Sequence, residues 1–161
     1  MKCDAKTFTQ MYEQIYKDLY RFAVCLLKSR QDAEDAVSEA VISAYENIHK
    51  LRKEEAFKSW IFTILSNVCK RKMKKAARDI SYENAEILHG VQVQSEEPDY
   101  GLAMDVRNAF FILSDEEQMI VGLSVFGGYS SNEIAKVLKL NANTVRSKRS
   151  RALEKMECVL R

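Results

Sequence analysis

The chain has 161 residues and is 47% apolar, enough for one core or two small ones. One proline and five glycines argue for long uninterrupted helices and an all-α fold. A net charge of +2 says little by itself, and four widely spaced cysteines, with no C-x-x-C or Cys/His pattern, exclude an ordinary zinc site.

In chain order, Phe8, Tyr12, Ile15, Leu19, Phe22 and Leu26 recur at helical spacing and predict a first helix from Thr7 to Lys28. A polar break, "SRQD", follows. Ala33, Ala36, Val37, Ala40, Val41, Ala44 and Ile48 then trace a second stripe, with Asp32 as its expected N-cap. Asp35, Ser38, Glu39, Ile42 and Glu46 mark the other face. After the connector "HKLRKEE", a third helix carries Phe57, Trp60, Ile61, Ile64, Leu65 and Val68 and runs on into "CKRKMKKAAR". Trp60 reads as core rather than as a stacking platform. Three striped helices with short links make one compact bundle.

Residues 79–101 break this pattern. They show weak periodicity, the single proline (Pro98), Gly90 and the acidic run "SEEPD", and read as an acidic linker. Beyond it, Leu102, Val106, Ala109, Phe110 and Leu113 begin a second helical domain. Ser114 with Glu117, and Ser130 with Glu133, have capping-box spacing. Gly127 and Gly128 end one helix. A turn near Lys139 to Asn141 then leads into a helix capped by Asn141. A short helix, a tight turn and a basic helix form the helix-turn-helix pattern, with Ile134, Ala135, Leu138, Leu140, Val145 and Ala152 as its small core. The expected organisation is therefore 1–78, a helical bundle; 79–101, a linker; and 102–161, a helix-turn-helix domain.

Charge falls in blocks. Six of the nine residues from Lys70 to Arg78 are basic, whereas seven acidic residues and no Lys or Arg lie between Asp79 and Val106. In "NTVRSKRSRAL", Arg146 and Arg149 share one face, as do Lys148 and Arg151. Each like-charge pair costs roughly 0.2–0.5 kcal/mol, which a DNA polyanion would relieve. Thr144, Arg146, Ser147, Lys148, Ser150 and Arg151 are left for solvent or nucleic acid. Asn67, Lys70, Arg71 and Lys74 likewise share a face suited to a nucleic-acid backbone. A solvated helix end, whose cations favour the helix dipole, fits those four residues equally well.

No catalytic set is apparent. There is no phosphate-cradling glycine loop, no G-x-S-x-G and no H-E-x-x-H, and His49 and His89 stand alone. Asp35 and Glu39 lack further converging ligands for a metal. The chain reads as a non-enzyme needing no cofactor. "MKCDAKTF" lacks the apolar core of a signal peptide, no run approaches 18 apolar residues, and Cys25 and Cys69 sit among apolar neighbours. These features predict a cytoplasmic protein with buried, reduced thiols.

The segments "DAEDAVSEAVISAY" (32–45), "FKSWIFTILSNVCKRKMKK" (57–75) and "YSSNEIAKVLKLNANTVRSKRSRALEKM" (129–156), in this order, resemble a bacterial RNA polymerase sigma factor of the short, extracytoplasmic-function group. The resemblance covers nearly the whole chain. It implies transcription initiation, with core RNA polymerase (its beta-prime clamp and beta flap) and promoter DNA as partners; an anti-sigma factor is common in the group. Asp35, Val37, Ser38, Glu39 and Ile42 would dock on the polymerase, with Ser38 standing where a Gln is common. Asn67, Lys70, Arg71 and Lys74 would bind the −10 element, helped by "LRKEEAF". Arg146, Ser147, Ser150 and Arg151 would lie nearest the bases of the −35 element, with Thr144 and Lys148 beside them. Arg149 stands where the pattern is usually apolar, so it is expected to disturb the helix packing or to snorkel to phosphate. The linker would thread toward positively charged polymerase channels. Two alternatives remain at this stage. A LuxR-like regulator would share only the C-terminal motif and bind DNA without polymerase, and a nucleic-acid-modifying enzyme would turn over a substrate.

Overall fold

The computed structural model describes residues 3–80 and 104–160. Eight α-helices and two 3₁₀ turns account for the regular structure there, with no strand among the described residues, as an all-α fold requires. Most of the expected linker, with His89 and Pro98, lies outside the described residues, as does Leu102 of the expected second domain.

The first half holds α1 (Ala5–Glu13), α2 (Tyr16–Leu27), α3 (Arg30–Glu46) and α4 (Phe57–Ile80), with 3₁₀ turns at Ile48–Lys50 and Glu54–Ala56 before α4. The single helix expected from Thr7 to Lys28 is in fact two. Ile15 leaves the helical region at φ −124°, and its N–H donates to Tyr12 O at 3.0 Å in a tightened turn. The apolar stripe runs through the break because both pieces face one core: Phe8, Met11, Ile15, Leu19 and Phe22 are all buried. The next boundary also differs from expectation. Lys28 closes α2 in the left-handed region at φ 59°, and Ser29, not Asp32, caps α3 by accepting from the Asp32 N–H at 3.2 Å. Two adjacent caps thus replace the predicted four-residue break, and Asp32 falls in the first turn, where the helix dipole favours a carboxylate.

The small buried residues Ala33, Ala36, Ala40 and Ala44 let α3 approach α2 and α4 closely. On α4 the buried set is wider than the predicted stripe. Phe62 is fully buried and Trp60 only partly, because α4 is covered by α2, by α3 and by part of the second half. Cys25 and Cys69 lie in this core, and burial pushes their thiols up to about 11 and about 12, so both stay protonated and unreactive at neutral pH. Helix α4 runs to Ile80, so Asp79, expected to open the linker, is still helical.

The second half comprises α5 (Met104–Phe111), α6 (Asp115–Val125), α7 (Ser131–Leu138) and α8 (Ala142–Leu160). Both capping boxes form as spaced: the hydroxyls of Ser114 and Ser130 accept from the N–H of Glu117 and Glu133, whose carboxylates accept in return. Gln118, fully buried, ties α6 to the end of α5 through its Nε2, which donates to Phe110 O at 3.1 Å.

Among the described residues, contacts between the halves include three specific ones. The Phe22 ring, T-shaped against Phe62 at 5.6 Å between centroids, lies where a Cβ on Gly122 would come within 2.9 Å. The Tyr129 hydroxyl donates to Ser59 O and hydrogen-bonds the Thr63 hydroxyl at 2.7 Å. The Lys28 ammonium sits 5.7 Å from the centre of the Phe111 ring. Gly122→Ala should therefore lower stability by up to about 2 kcal/mol: overpacking a core costs roughly 1–3 kcal/mol, partly offset by about 1 kcal/mol of helix propensity. Urea unfolding reads this directly. A midpoint at or above wild type would mean that Phe22 shifts aside freely.

Candidate nucleic-acid interface

Helix α8 starts where the Asn141 Oδ1 accepts from the Asn143 N–H at 2.8 Å, after Lys139 turns the chain in the left-handed region at φ 58°. Ile134 and Ala135 of α7 and Val145 and Ala152 of α8 are buried, with Leu138 and Leu140 partly so. These contacts fix how the basic helix is presented. Arg146, Ser147, Ser150 and Arg151 are all exposed and line one shallow concavity. The side chains there are steadied locally: Arg146 donates to the Asn143 side chain, and Arg151 Nε donates to Ser147 O at 3.3 Å.

The other two cations of this helix turn away. Lys148 is half-buried and donates to the Glu116 carboxylate of α6. Arg149 Nη1 donates to Ser124 Oγ, also on α6, at 3.4 Å. One member of each like-charge pair therefore leaves the outward face, which removes most of the self-repulsion seen in the sequence. Arg149 neither disrupts the packing nor snorkels outward as expected. It finds its partner across the domain, together with Lys155, whose ammonium contacts Glu117 at 3.0 Å. Thr144 is half-buried beside Val145.

On α4, Asn67, Arg71 and Lys74 are exposed and Lys70 is half-buried. The stripe does not face open solvent along its length. Arg71 donates to the Glu39 carboxylate of α3. Lys70 and Lys74, with Met73 and Ala77, form one wall of a cleft of ≈ 270 Å³ whose opposite wall is Asp115, Glu116, Met119 and Leu138.

On α3, Asp35 and Ser38 are exposed, Glu39 is partly exposed and Ile42 is 60% exposed. Val37 is a correction. It is 1% exposed and packs in the core, since its spacing aligns it with Ala33, Ala40 and Ala44. Sequence reasoning missed Tyr45, which is 45% exposed and lines a groove with Phe8, Tyr12 and Ile42. Its position three residues after Ile42 was the available signal. Tyr129 was missed as well.

Residues 11–79 match the family model for Sigma-70 region 2, and residues 105–156 match that for Sigma-70, region 4. The chain is 31% identical over 147 residues to RNA polymerase sigma factor SigV of Bacillus subtilis, covering 89% of this chain and 85% of that one. It is 26% identical over 157 residues to the ECF RNA polymerase sigma factor SigM of Mycobacterium tuberculosis, covering 98% and 79%. The chain belongs to the extracytoplasmic-function sigma factors. The fold of this sigma factor matches that of the sigma factor RpoE of Bartonella quintana, solved with the anti-sigma factor NepR, at a TM-score of 0.77 and 25% identity over 97% and 98% of the two chains. The sigma factor directs RNA polymerase in transcription initiation, and its family is one of non-enzymatic initiation factors. The LuxR-like alternative needed an unrelated first half and falls with the region 2 match. Among the described residues no helix is long and apolar enough to cross a membrane.

Glu117 holds α8 to α6 through Lys155. Its carboxyl lies below the ordinary value, chiefly because the Ser114 N–H donates to it; burial opposes this, and Lys155 adds to the lowering. A depressed carboxyl stabilises the fold above its unfolded value of 4.5 and loses that contribution as pH falls through its folded value. Glu117→Gln keeps an oxygen acceptor but loses the charge, so it should cost about 1 kcal/mol at pH 7. The gap to wild type should close on acidification below 4.5, followed by urea unfolding across pH. A gap that persists into acid would show that the carboxylate charge is not what matters.

Proposed function

We propose that this sigma factor divides promoter recognition and polymerase docking among three surfaces, carried by a domain over 1–78, a linker over 79–101 and a domain over 102–161. The observation that carries this reading is the concavity on α8. Four side chains able to read bases or bind phosphate, Arg146, Ser147, Ser150 and Arg151, converge there on the exposed face of a capped, buttressed second helix. That geometry suits the major groove of the −35 element. Thr144 and Lys148 flank it, and Lys148 must leave Glu116 to reach phosphate.

Asn67, Lys70, Arg71 and Lys74 serve the −10 element, where the opened strand supplies phosphates for the cations and unstacked bases for Asn67. Asp35, Ser38, Glu39 and Ile42 dock on core RNA polymerase at its beta-prime clamp, an assignment supported by Ile42, a large apolar side chain left exposed beside carboxylates. Val37 supports that face from beneath. The second domain meets the beta flap. An anti-sigma factor is a further partner, as NepR is for the RpoE relative, and the working compartment is the cytoplasm.

Transcription in vitro with core polymerase and a promoter library tests the assignment, with factor-dependent start sites expected and their absence refuting it. Arg146→Ala and Arg151→Ala should each weaken upstream-element selectivity by roughly 1–3 kcal/mol. Asp35→Lys should abolish polymerase binding in a pull-down while the circular dichroism spectrum stays helical. Loss of both activities in all three variants would mean that the substitutions act by unfolding.

A further inference from the structure

Two arginines line the concavity on α8, and they are held in different ways. The Arg151 Nε donates to the carbonyl of Ser147, a main-chain group that any residue there would supply. The Arg146 guanidinium donates to the Asn143 Oδ1, three residues earlier on the same face. That acceptor exists only because position 143 is asparagine. The helix start does not require it. The Asn141 side chain makes the cap by accepting the main-chain N–H of Asn143, so the Asn143 side chain has no part in it. Asn143 is also exposed, and its side chain forms no part of the core.

A long exposed side chain must be ordered when it meets a base, and that ordering costs free energy. A bond already made in the free chain removes part of the cost. The kind of acceptor matters as well. Lys148 is paired with the carboxylate of Glu116, which offsets its charge. The Asn143 amide is neutral, so it directs the Arg146 guanidinium and leaves the positive charge whole. One N–H of the fork is engaged, and the others remain for the O6 and N7 acceptors of a guanine.

We propose that Asn143 is a specificity-determining positioning residue, which orients Arg146 in advance to read a guanine of the upstream promoter element. The inference rests on the assignment of Arg146 to that element under Proposed function. Asn143 acts through Arg146 and not on the base, so its effect vanishes when Arg146 is removed.

The test assembles holoenzyme from core polymerase and each full-length variant. Factor-dependent transcripts are then sequenced from a promoter library randomised across the upstream element. R146A should lose a preference for guanine at one position, which identifies the base pair that Arg146 reads. N143A should weaken the preference at that same position by roughly two- to tenfold, the range that fixing one long side chain in advance is worth. N143A/R146A should match R146A alone, since the two residues act as a unit. N143D keeps an oxygen in the accepting position but sets a carboxylate beside DNA. It should keep the guanine preference while lowering transcript yield at every promoter. N143L, similar in shape and without an oxygen, repeats the test should N143A not fold. The proposal is overturned if N143A changes nothing or acts at another position, if the base lost in R146A is not guanine, or if N143D flattens the preference as N143A does. It is overturned too if N143A deepens the loss in R146A, which would mean that Asn143 reads a base itself. An R146A effect without an N143A effect defeats this inference alone, whereas no change of preference in R146A at any position defeats the −35 assignment.

Discussion

The ring of Phe22 lies fully buried between helices from different halves of the chain, with Phe62 of α4 on one side and the bare backbone of Gly122 on the other. Burying such a side chain is worth about 1.5–3 kcal/mol, and an edge-on aromatic pair adds roughly 0.5–1.5 kcal/mol. The ion pairs nearby are partly exposed and each contributes only about 0–1 kcal/mol. Packing therefore supplies most of the attraction between halves, while the ion pairs Arg71–Glu39 and Lys148–Glu116 each lie within one half. Phe22 fills the space between α4 and α6 at Phe62 and Gly122, and the cleft lies further along the same two helices, between Lys70 to Ala77 and Asp115 to Met119.

The same partition operates within α8. Val145 and Ala152 are buried against the rest of the second half, and Lys148 and Arg149 are drawn toward α6 by Glu116 and Ser124. What remains outward is Arg146, Ser147, Ser150 and Arg151. Six positions hold four cations without severe repulsion because they point in two directions. The outward face that results has its arginine side chains held by short-range bonds to Asn143 and Ser147.

Local signals were legible in the sequence. Ser114 with Glu117 and Ser130 with Glu133 announce their helix starts because a capping box involves only neighbours in sequence. The alanine stripe of α3 likewise predicts its buried face, Val37 included; only the family resemblance drew Val37 to the surface. The break at Ile15 was hidden because the apolar stripe continues across it. Ser29 and Asp32 are both chemically able to cap, and the left-handed turn at Lys28 decides between them. The pairs Lys148–Glu116 and Arg71–Glu39 each span 32 residues, and no local pattern encodes which side chains the fold sets opposite one another. Phe62 escaped notice because a single-face stripe assumes a helix covered on one side.

Tyr129 carries a last consequence. Burial pushes its phenol up to about 12, so it remains a donor to Ser59 through any alkalinity a cell meets. The groups beside it at the joint are aromatic rings, hydroxyls, lysines and carboxylates, and among the described residues no histidine stands there. The Tyr129 bond to Ser59 is thus a fixed fastening between the halves, one that ordinary shifts in acidity leave in place.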